Sequence, residues 1–485
     1  MHKLLMGVAL AATPFLTHAQ ATAAETADAV SVSYPAEAMG YGPRMGPNYY
    51  FSRWAEDWSQ HRDPAMRDGL LDDLKFIPLD AAGESYITLN GQQRIRLNHV
   101  SNPGLRASSR TDAFLSRTQL GADVHLGSNF RAYVEVGSGQ TWGSRKGPQP
   151  GAQQNDVDLI QAFGEIHGQA GVADVGVRFG RQDFSDGSQV LFATDQSPNI
   201  HLSQNGVVAY ANWSNFRVSA YGFRPTVRDY GTFDDDWNDD EAIYGITTSF
   251  DMAALAGVPH KLFVDPFIFH MDNDAKRWGT MLGEDSRDTY GVRVWGSAGP
   301  VSFDWLAARQ TGSFENRDVK AAGLFTTTSV RLADNRYQPT IGVRADVTTG
   351  GGAYGTGTVK NFDYGYGNSP YFADNNFISP TNLVDFAPTF AITPIKGLKL
   401  SGEYVFVWRQ SESDAVYDGL KRPYAGTELV GGSKVAEIAR LAFTYGINEH
   451  VSIGGLTDYV KADTVLERAG FGNSFYQALW MTFVF

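Results

Sequence analysis

The stretch YITLNGQQRIRLNHV, residues 86–100, alternates between apolar and polar side chains. The apolar residues fall on one side of an extended chain: Ile87, Leu89, Ile95 and Leu97. The residues between them, including two arginines, fall on the other side, because successive side chains of a strand point in opposite directions. In a soluble sheet the apolar side covers a core, whereas in an outer-membrane barrel it faces lipid and the polar side lines a lumen.

The C-terminal stretch FYQALWMTFVF, residues 475–485, decides between these two interpretations. Its apolar residues alternate along one face: Leu479, Met481, Phe483 and Phe485. A soluble protein rarely ends on its most apolar residues, and a final aromatic residue is typical of strands read by the bacterial barrel-insertion machinery. The pattern therefore predicts that Ile87 and Leu89 face lipid and that Arg94 and Arg96 face a lumen.

The same alternation recurs in about eighteen segments between Tyr86 and Phe485. Connections of three to five residues, such as 127–129 and 213–215, alternate with long ones, such as 183–205, 272–287 and 349–383. Short turns on one rim and long loops on the other indicate an outer-membrane barrel. We expect an all-β, transmembrane antiparallel β-barrel of about 18 strands over 86–485, with short periplasmic turns and long extracellular loops.

The residues before the barrel form two further segments. Residues 1–21 read as a signal peptide, with Lys3, a short apolar run and a small-residue cleavage pattern at Ala19-Gln20-Ala21. Residues 22–85 lack the alternation, and Asp63 followed by Pro64 suits the start of a helix. We expect a periplasmic pre-barrel segment with a short helix, folded back to the periplasmic mouth.

Several stretches resemble the alginate-export family of bacterial outer-membrane barrels. They are WAEDWSQHRDPAMRDGLLDDLKFIPL (54–79), VRFGRQDFSDGSQVLFATDQSPNI (177–200) and the segment 408–459, which contains WRQSESDAVYDGLKRPYAG. The loop after Gln182 lacks the basic run of many members, and the chain ends in TFVF instead of Arg-Phe. The resemblance implies a channel for alginate-like anionic polysaccharide or a related anionic solute.

A channel for anions needs cations along its wall, because guanidinium groups replace water around carboxylates. Strand parity places eleven cations on the luminal face: Arg94, Arg96, Arg117, Arg131, Arg178, Arg217, Arg293, Arg344, Lys399, Arg409 and Arg440. Seven carboxylates share that face by the same parity: Asp123, Glu135, Asp304, Asp346, Asp385, Glu403 and Asp458. Each arginine either braces the wall or contacts the solute, and the excess of cations favours an anion-attracting lumen.

Other functions fit the sequence less well. The formal charge of −13 argues against nucleic acid as a partner, and no nucleophile–base motif, cofactor motif or metal motif is evident. FDDDWNDDE (233–241) departs from a calcium loop at its sixth and twelfth positions, so a solvated loop is favoured over a cation site. The expected partners are membrane lipid, lipopolysaccharide, the insertion machinery through Phe485, and the solute. A porin for small anions, an outer-membrane enzyme and a secreted polysaccharide-binding protein remain alternatives.

Overall fold

The structure is a computed structural model that describes residues 49–50, 52–67, 69–107, 110–143, 151–195, 197–257, 260–367 and 376–485. The predicted signal peptide, residues 1–21, lies outside these residues. No helix of the described residues is long and apolar enough to cross a membrane.

Eighteen antiparallel strands form one closed barrel, which confirms the predicted fold class. They are β1 (Tyr86–Ser101), β2 (Thr111–Leu126), β3 (Phe130–Gly143), β4 (Asn155–Ala170), β5 (Ala173–Gln182), β6 (Gln204–Asn212), β7 (Phe216–Val227), β8 (Glu241–Asp251), β9 (Lys261–Trp278), β10 (Met281–Ala298), β11 (Val301–Phe314), β12 (Arg317–Arg331), β13 (Thr340–Thr348), β14 (Leu383–Ile395), β15 (Leu398–Arg409), β16 (Lys434–Gly446), β17 (Val451–Ala462) and β18 (Ser474–Val484). Each strand pairs with its neighbours in sequence, and β18 pairs with β1 to close the sheet. Closure matters because an unpaired strand edge cannot be satisfied in hydrocarbon.

The two faces of β1 are as the alternation predicts. Leu97 leaves 53% of its surface exposed on the outside of the barrel, whereas Arg94 and Arg96 are 6% and 5% exposed on the inside. On β18 the outward residues Leu479 and Met481 are likewise exposed. The outer surface is therefore apolar and the polar side chains point inward, as expected for a barrel that sits in lipid.

The predicted alternation of connection lengths holds, with one correction. Short connections, including 127–129, 171–172 and 213–215, lie on one rim, here called the short-turn rim. Long connections, including 183–203, 349–382 and 410–433, leave from the other, here called the long-loop rim. The prediction of a long loop over 272–287 is wrong, because β9 and β10 continue to a turn of Gly279 and Thr280. Gly279 adopts a φ of +58°, which allows so tight a reversal.

The described part of the pre-barrel segment lies inside the barrel at the short-turn rim. It has 3₁₀ segments at Arg53–Ala55, Ser59–Arg62, Pro64–Met66 and Asp72–Leu74 in place of one short α-helix. Asp63 caps the third of these by accepting the amide of Ala65, as its position before Pro64 suggests. Trp54 and Trp58 are fully buried, so this segment, here called the plug (residues 49–76), packs against the barrel wall.

The part of the lumen near the long-loop rim is filled by apolar side chains, which the alternation alone does not predict. Connections 183–203, 349–382 and 410–433 fold inward and join one apolar cluster with luminal side chains of the wall. Phe184 lies 4.8 Å from Phe223 of β7, and Phe192 lies 4.8 Å from Phe269 of β9, measured between ring centroids. The described parts of these connections therefore occupy the long-loop end of the lumen.

Candidate functional site

The predicted luminal cations all lie on the inner side of the wall. The ten arginines are buried, each with at most 9% of its surface exposed, and Lys399 is half-buried. The most water-accessible inner positions lie on the opposite wall from the plug: Ser302, Thr327, Ser329, Thr389, Ser401 and Thr444. The arginines divide into groups by what their guanidinium groups contact.

Two of them hold the plug. Arg131 donates to both carboxylate oxygens of Asp123 and to the carbonyl oxygen of Trp54. Arg178 lies 3.7 Å from the centroid of the Trp54 ring and 3.3 Å from Glu165. A cation over an indole face is attracted by the ring quadrupole, so these arginines fasten the plug to β3 and β5.

Four others belong to ion-pair networks within the wall. Arg217 contacts Asp186 of the inward connection at 3.1 Å, and Arg293 pairs with Asp304 at 2.6 Å and Asp265 at 3.5 Å.

The largest of these networks joins five strands. Arg344 of β13 contacts Glu403 at 2.9 Å, Asp385 at 3.3 Å and Asp346 at 3.6 Å. Arg440 of β16 contacts Asp458 at 2.9 Å and the other oxygen of the same Glu403 at 3.5 Å. Buried charges need such partners, so this network braces the wall.

Further charges share the lumen with the predicted set. Glu165 and Asp265 occupy luminal strand positions that the parity assignment left out, and Asp183 and Asp186 enter the lumen with connection 183–203. Arg287 and Asp285 of β10 form a further buried ion pair on the inner face, so the predicted set is not a full count of the luminal charges. Any preference for anions therefore depends on where the charges lie.

Arg94, Arg96 and Arg117, here called the arginine row, form one local group of cations. Arg94 of β1 and Arg117 of β2 are direct cross-strand partners in the register, and Arg96 lies two residues further along β1. Arg94 donates to the carbonyl oxygen of Pro198 at 2.9 Å, and Arg96 donates to that of Ser197 at 3.3 Å. The inward connection thus places backbone oxygens on this row.

The last arginine of the predicted set anchors a connection. Arg409, at the end of β15, donates to the carbonyl oxygens of Gly432, Asp414, Thr427 and Val430. It therefore holds connection 410–433 against the barrel. Lys399 lies near the short-turn end of the same strand, on the half-buried part of the inner wall.

The sequence reasoning missed the group that joins the plug to the inward connection. Asp183 accepts a hydrogen bond from the Ser52 hydroxyl at 2.7 Å, and its other oxygen lies 2.8 Å from Nε2 of His201. All three residues are buried. No periodic signal exists in connections, so only the fold brings these residues together.

Segment 233–241 lies at the long-loop rim. Asp236–Trp237 forms a two-residue strand beside the end of β7. The backbone amides of Asp234 and Asp235 donate to Asp158 of β4 at 3.0 and 3.1 Å, and Arg181 lies 3.9 Å from the same carboxylate. The acidic side chains here are thus held by backbone amides.

Comparison with known proteins agrees with this architecture. Three solved structures from Pseudomonas aeruginosa resemble the barrel: OccD3 (OpdP), OccK2 (OpdF) in complex with glucuronate, and OccK5 (OpdH). Their TM-scores are 0.56, 0.55 and 0.53, at 14%, 9% and 10% identity, over 82% of this chain and 91%, 96% and 97% of theirs. No curated protein matches the chain. The profile described as "Alginate export" matches residues 85–455. The chain therefore belongs to the alginate export family, and it is a channel-type β-barrel of the bacterial outer membrane.

Proposed function

We propose that this protein is a channel for a carboxylated saccharide or a related anionic solute, and that the arginine row binds the carboxylates of that solute. The observation that carries the proposal is the register that sets Arg94 directly opposite Arg117. Like charges that face each other across two strands repel, so the row concentrates guanidinium groups at one place on the wall, where a solute carboxylate would be attracted.

The chemistry of the row suits a uronate. A guanidinium group presents a planar set of donors that matches the two oxygens of a carboxylate. In the present arrangement the carbonyl oxygens of Ser197 and Pro198 accept from Arg96 and Arg94. A solute carboxylate takes the place of these oxygens when connection 183–203 moves aside, so this structure corresponds to the closed channel.

The relatives support the same class of solute. The family profile is described as alginate export, and alginate is a polymer of uronates. The structure of OccK2 (OpdF) contains glucuronate, which is a sugar with one carboxylate. Both names point to carboxylated sugars.

We further propose the orientation and the processing of the chain. We assign the short-turn rim and the plug to the periplasm and the long-loop rim to the outside. Residues 1–21 are removed as a signal peptide, residues 22–85 form the periplasmic pre-barrel segment, and Phe485 is recognised by the insertion machinery. The other luminal cations brace the wall and add to its field.

Single-channel recording in a planar bilayer tests the proposal. The reversal potential across a salt gradient should show chloride passing better than potassium, because the lumen wall sets the local field and distant surface charge is screened beyond about 8–10 Å. Arg94→Glu with Arg96→Glu should reduce or invert this preference. Glucuronate on one side should block the chloride current in the wild type and block it less in the variant.

The matched control is Arg331→Glu with Lys399→Glu, which changes the charge by the same amount on the water-accessible side of the lumen. If the row binds the solute, this control should alter selectivity less and should leave the glucuronate block unchanged. A wild-type channel that favours potassium, or equal loss of block in both variants, would reject the assignment of the row.

A further inference from the structure

The closing strand pair is incomplete at the short-turn rim. The register of β1 with β18 begins at Gln92 opposite Val484, and Gly91 and Phe485 exchange two backbone hydrogen bonds of 3.0 and 3.1 Å. Residues 86–90 of β1 extend beyond the part of β1 that pairs with β18. The pairing of β1 with β18 is here called the closing seam. The backbone groups of residues 86–90 need other hydrogen-bond partners, because exposed strand edges invite wrong pairing.

The segment just before β1 supplies these partners. Ile77 and Pro78 pair antiparallel with Ile87 and Tyr86. Nζ of Lys75 donates to the carbonyl oxygen of Leu89 at 3.2 Å, and the Thr88 hydroxyl donates to the carbonyl oxygen of Lys75 at 2.8 Å. Residues 75–78 thus continue the sheet where β18 ends.

The Lys75 side chain also contacts the other side of the seam. It is fully buried, and its ammonium lies 3.6 Å from Glu56. The same ammonium lies over three aromatic rings, at 5.0 Å from Tyr49, 5.0 Å from Trp58 and 5.9 Å from Phe485. Through this one side chain the plug contacts both β1 and the terminal residue.

The terminal phenylalanine is fitted closely into the seam. A Cβ atom on Gly91 would lie 2.5 Å from Cε1 of Phe485, so only glycine leaves room for the ring at this position. On the neighbouring turn, His450 packs against Tyr49 of the plug at 5.5 Å and against Phe483 at 6.0 Å. The plug and the last three residues of the barrel therefore pack as one unit.

We propose that residues 75–78, with Lys75 as their central contact, form a clamp that holds the closing seam between β1 and β18. The clamp gives the pre-barrel segment a part in barrel closure that is separate from occlusion of the lumen and independent of which solute passes. Its contact with Phe485 requires that β18 has paired with β1.

Substitutions in two different parts of the plug test the proposal. Lys75→Ala removes the contact with the seam, whereas Trp54→Ala removes the contact with Arg178 of β5. The temperature at which the purified barrel changes its gel mobility reports closure, and single-channel conductance reports occlusion. Lys75→Ala should lower the transition temperature by about 5 °C or more. Trp54→Ala should raise conductance and lower that temperature less than Lys75→Ala does, because it leaves the contacts of Lys75 with β1 and Phe485 in place.

A disulfide provides the second variant. The chain contains no cysteine, and Ile77 and Ile87 are direct cross-strand partners, so Ile77→Cys with Ile87→Cys can form a single bond across the clamp. Under oxidising conditions this pair should restore the transition temperature, or the membrane insertion, of Lys75→Ala, and reduction should abolish the rescue. An unchanged transition temperature in Lys75→Ala, or no rescue by the disulfide, would overturn the proposal.

Discussion

Arg94 of β1 and Arg117 of β2 lie directly opposite each other on the luminal face, with Arg96 two residues away on β1. Elsewhere in the wall, arginines such as Arg344 and Arg440 have carboxylates within ion-pair distance. A facing pair of like charges reduces the stability of the sheet, by roughly 0.2–1 kcal/mol for an ordinary pair. Under the proposed function, this local arrangement, and not the net charge of the lumen, favours an anion here.

Arg117→Gln should therefore weaken anion selectivity severalfold with little loss of stability. The relief of repulsion, roughly 0.2–1 kcal/mol, offsets the hydrogen bond that Arg117 donates to Gln92, worth about 0.5–1.5 kcal/mol. Reversal potentials and the gel-mobility transition temperature would be measured together. A large fall in stability with unchanged selectivity would show that Arg117 is a brace.

Arg344→Gln should give the opposite result. Its guanidinium contacts Asp346, Asp385 and Glu403, and these carboxylates lose a buried counter-charge when it is removed. Breaking a buried pair in this way costs about 3–5 kcal/mol. The transition temperature should fall clearly, while Arg309→Gln, at an exposed position of β11, should leave it unchanged. Equal transition temperatures for the two variants would contradict the bracing role.

Asp183→Ala should open the channel more than Ser52→Ala does. Asp183 binds both Ser52 of the plug and His201 at the end of the inward connection, so its removal releases two obstructions at once. Ser52→Ala releases only the plug. We expect single-channel conductance to increase in the order wild type, Ser52→Ala, Asp183→Ala. If Asp183→Ala conducts as the wild type does, these contacts do not limit the open area.

The docking of the clamp onto the barrel should become more stable as the pH rises between the pKa of docked Lys75 and that of released Lys75. Burial lowers the pKa of its ammonium from 10.5 to about 8, against the raising effect of Glu56; Arg53 lowers the pKa further and Asp72 raises it. A released segment returns Lys75 to water and to its ordinary pKa. Between about pH 8 and 10.5 the released state binds more protons, so docking gains stability as the pH rises and is independent of this group below the window.

This dependence is measured as the difference between the transition temperatures of the wild type and Lys75→Met. Relative to that variant, the wild type should become more stable from about pH 7 to about pH 9.5. A constant difference would show that Lys75 keeps its proton in the docked state throughout this range.

The pattern of the strands was readable from the sequence because lipid and lumen impose opposite demands on successive residues. Each of the eighteen predicted segments overlaps one strand of the barrel, and parity placed Arg94 and Leu97 on their observed sides. The error at 272–287 arose where β9 and β10 run past the apolar band. There, both faces of the strands carry polar residues such as Asp272 and Asn273, so the sequence shows no alternation of apolar and polar residues.

The contacts between luminal side chains could not be predicted from the alternation. Glu403 lies between Arg344 and Arg440 because three strands distant in sequence meet at one height of the barrel. Asp183 meets Ser52 across 131 residues of chain. Neither relation leaves a periodic trace, because register and the paths of connections depend on the packing of the whole sheet.

The sequence by itself determined the barrel, its approximate strand number and the inner or outer side of most strand residues, since a period of two is a local property that the surrounding solvent selects. Only the tertiary structure decided which carboxylates, backbone oxygens and cations each luminal arginine lies beside. It alone also placed Lys75 against Phe485. Those outcomes depend on strand register and on the return of the chain to its own closing seam, where residues far apart in sequence become neighbours.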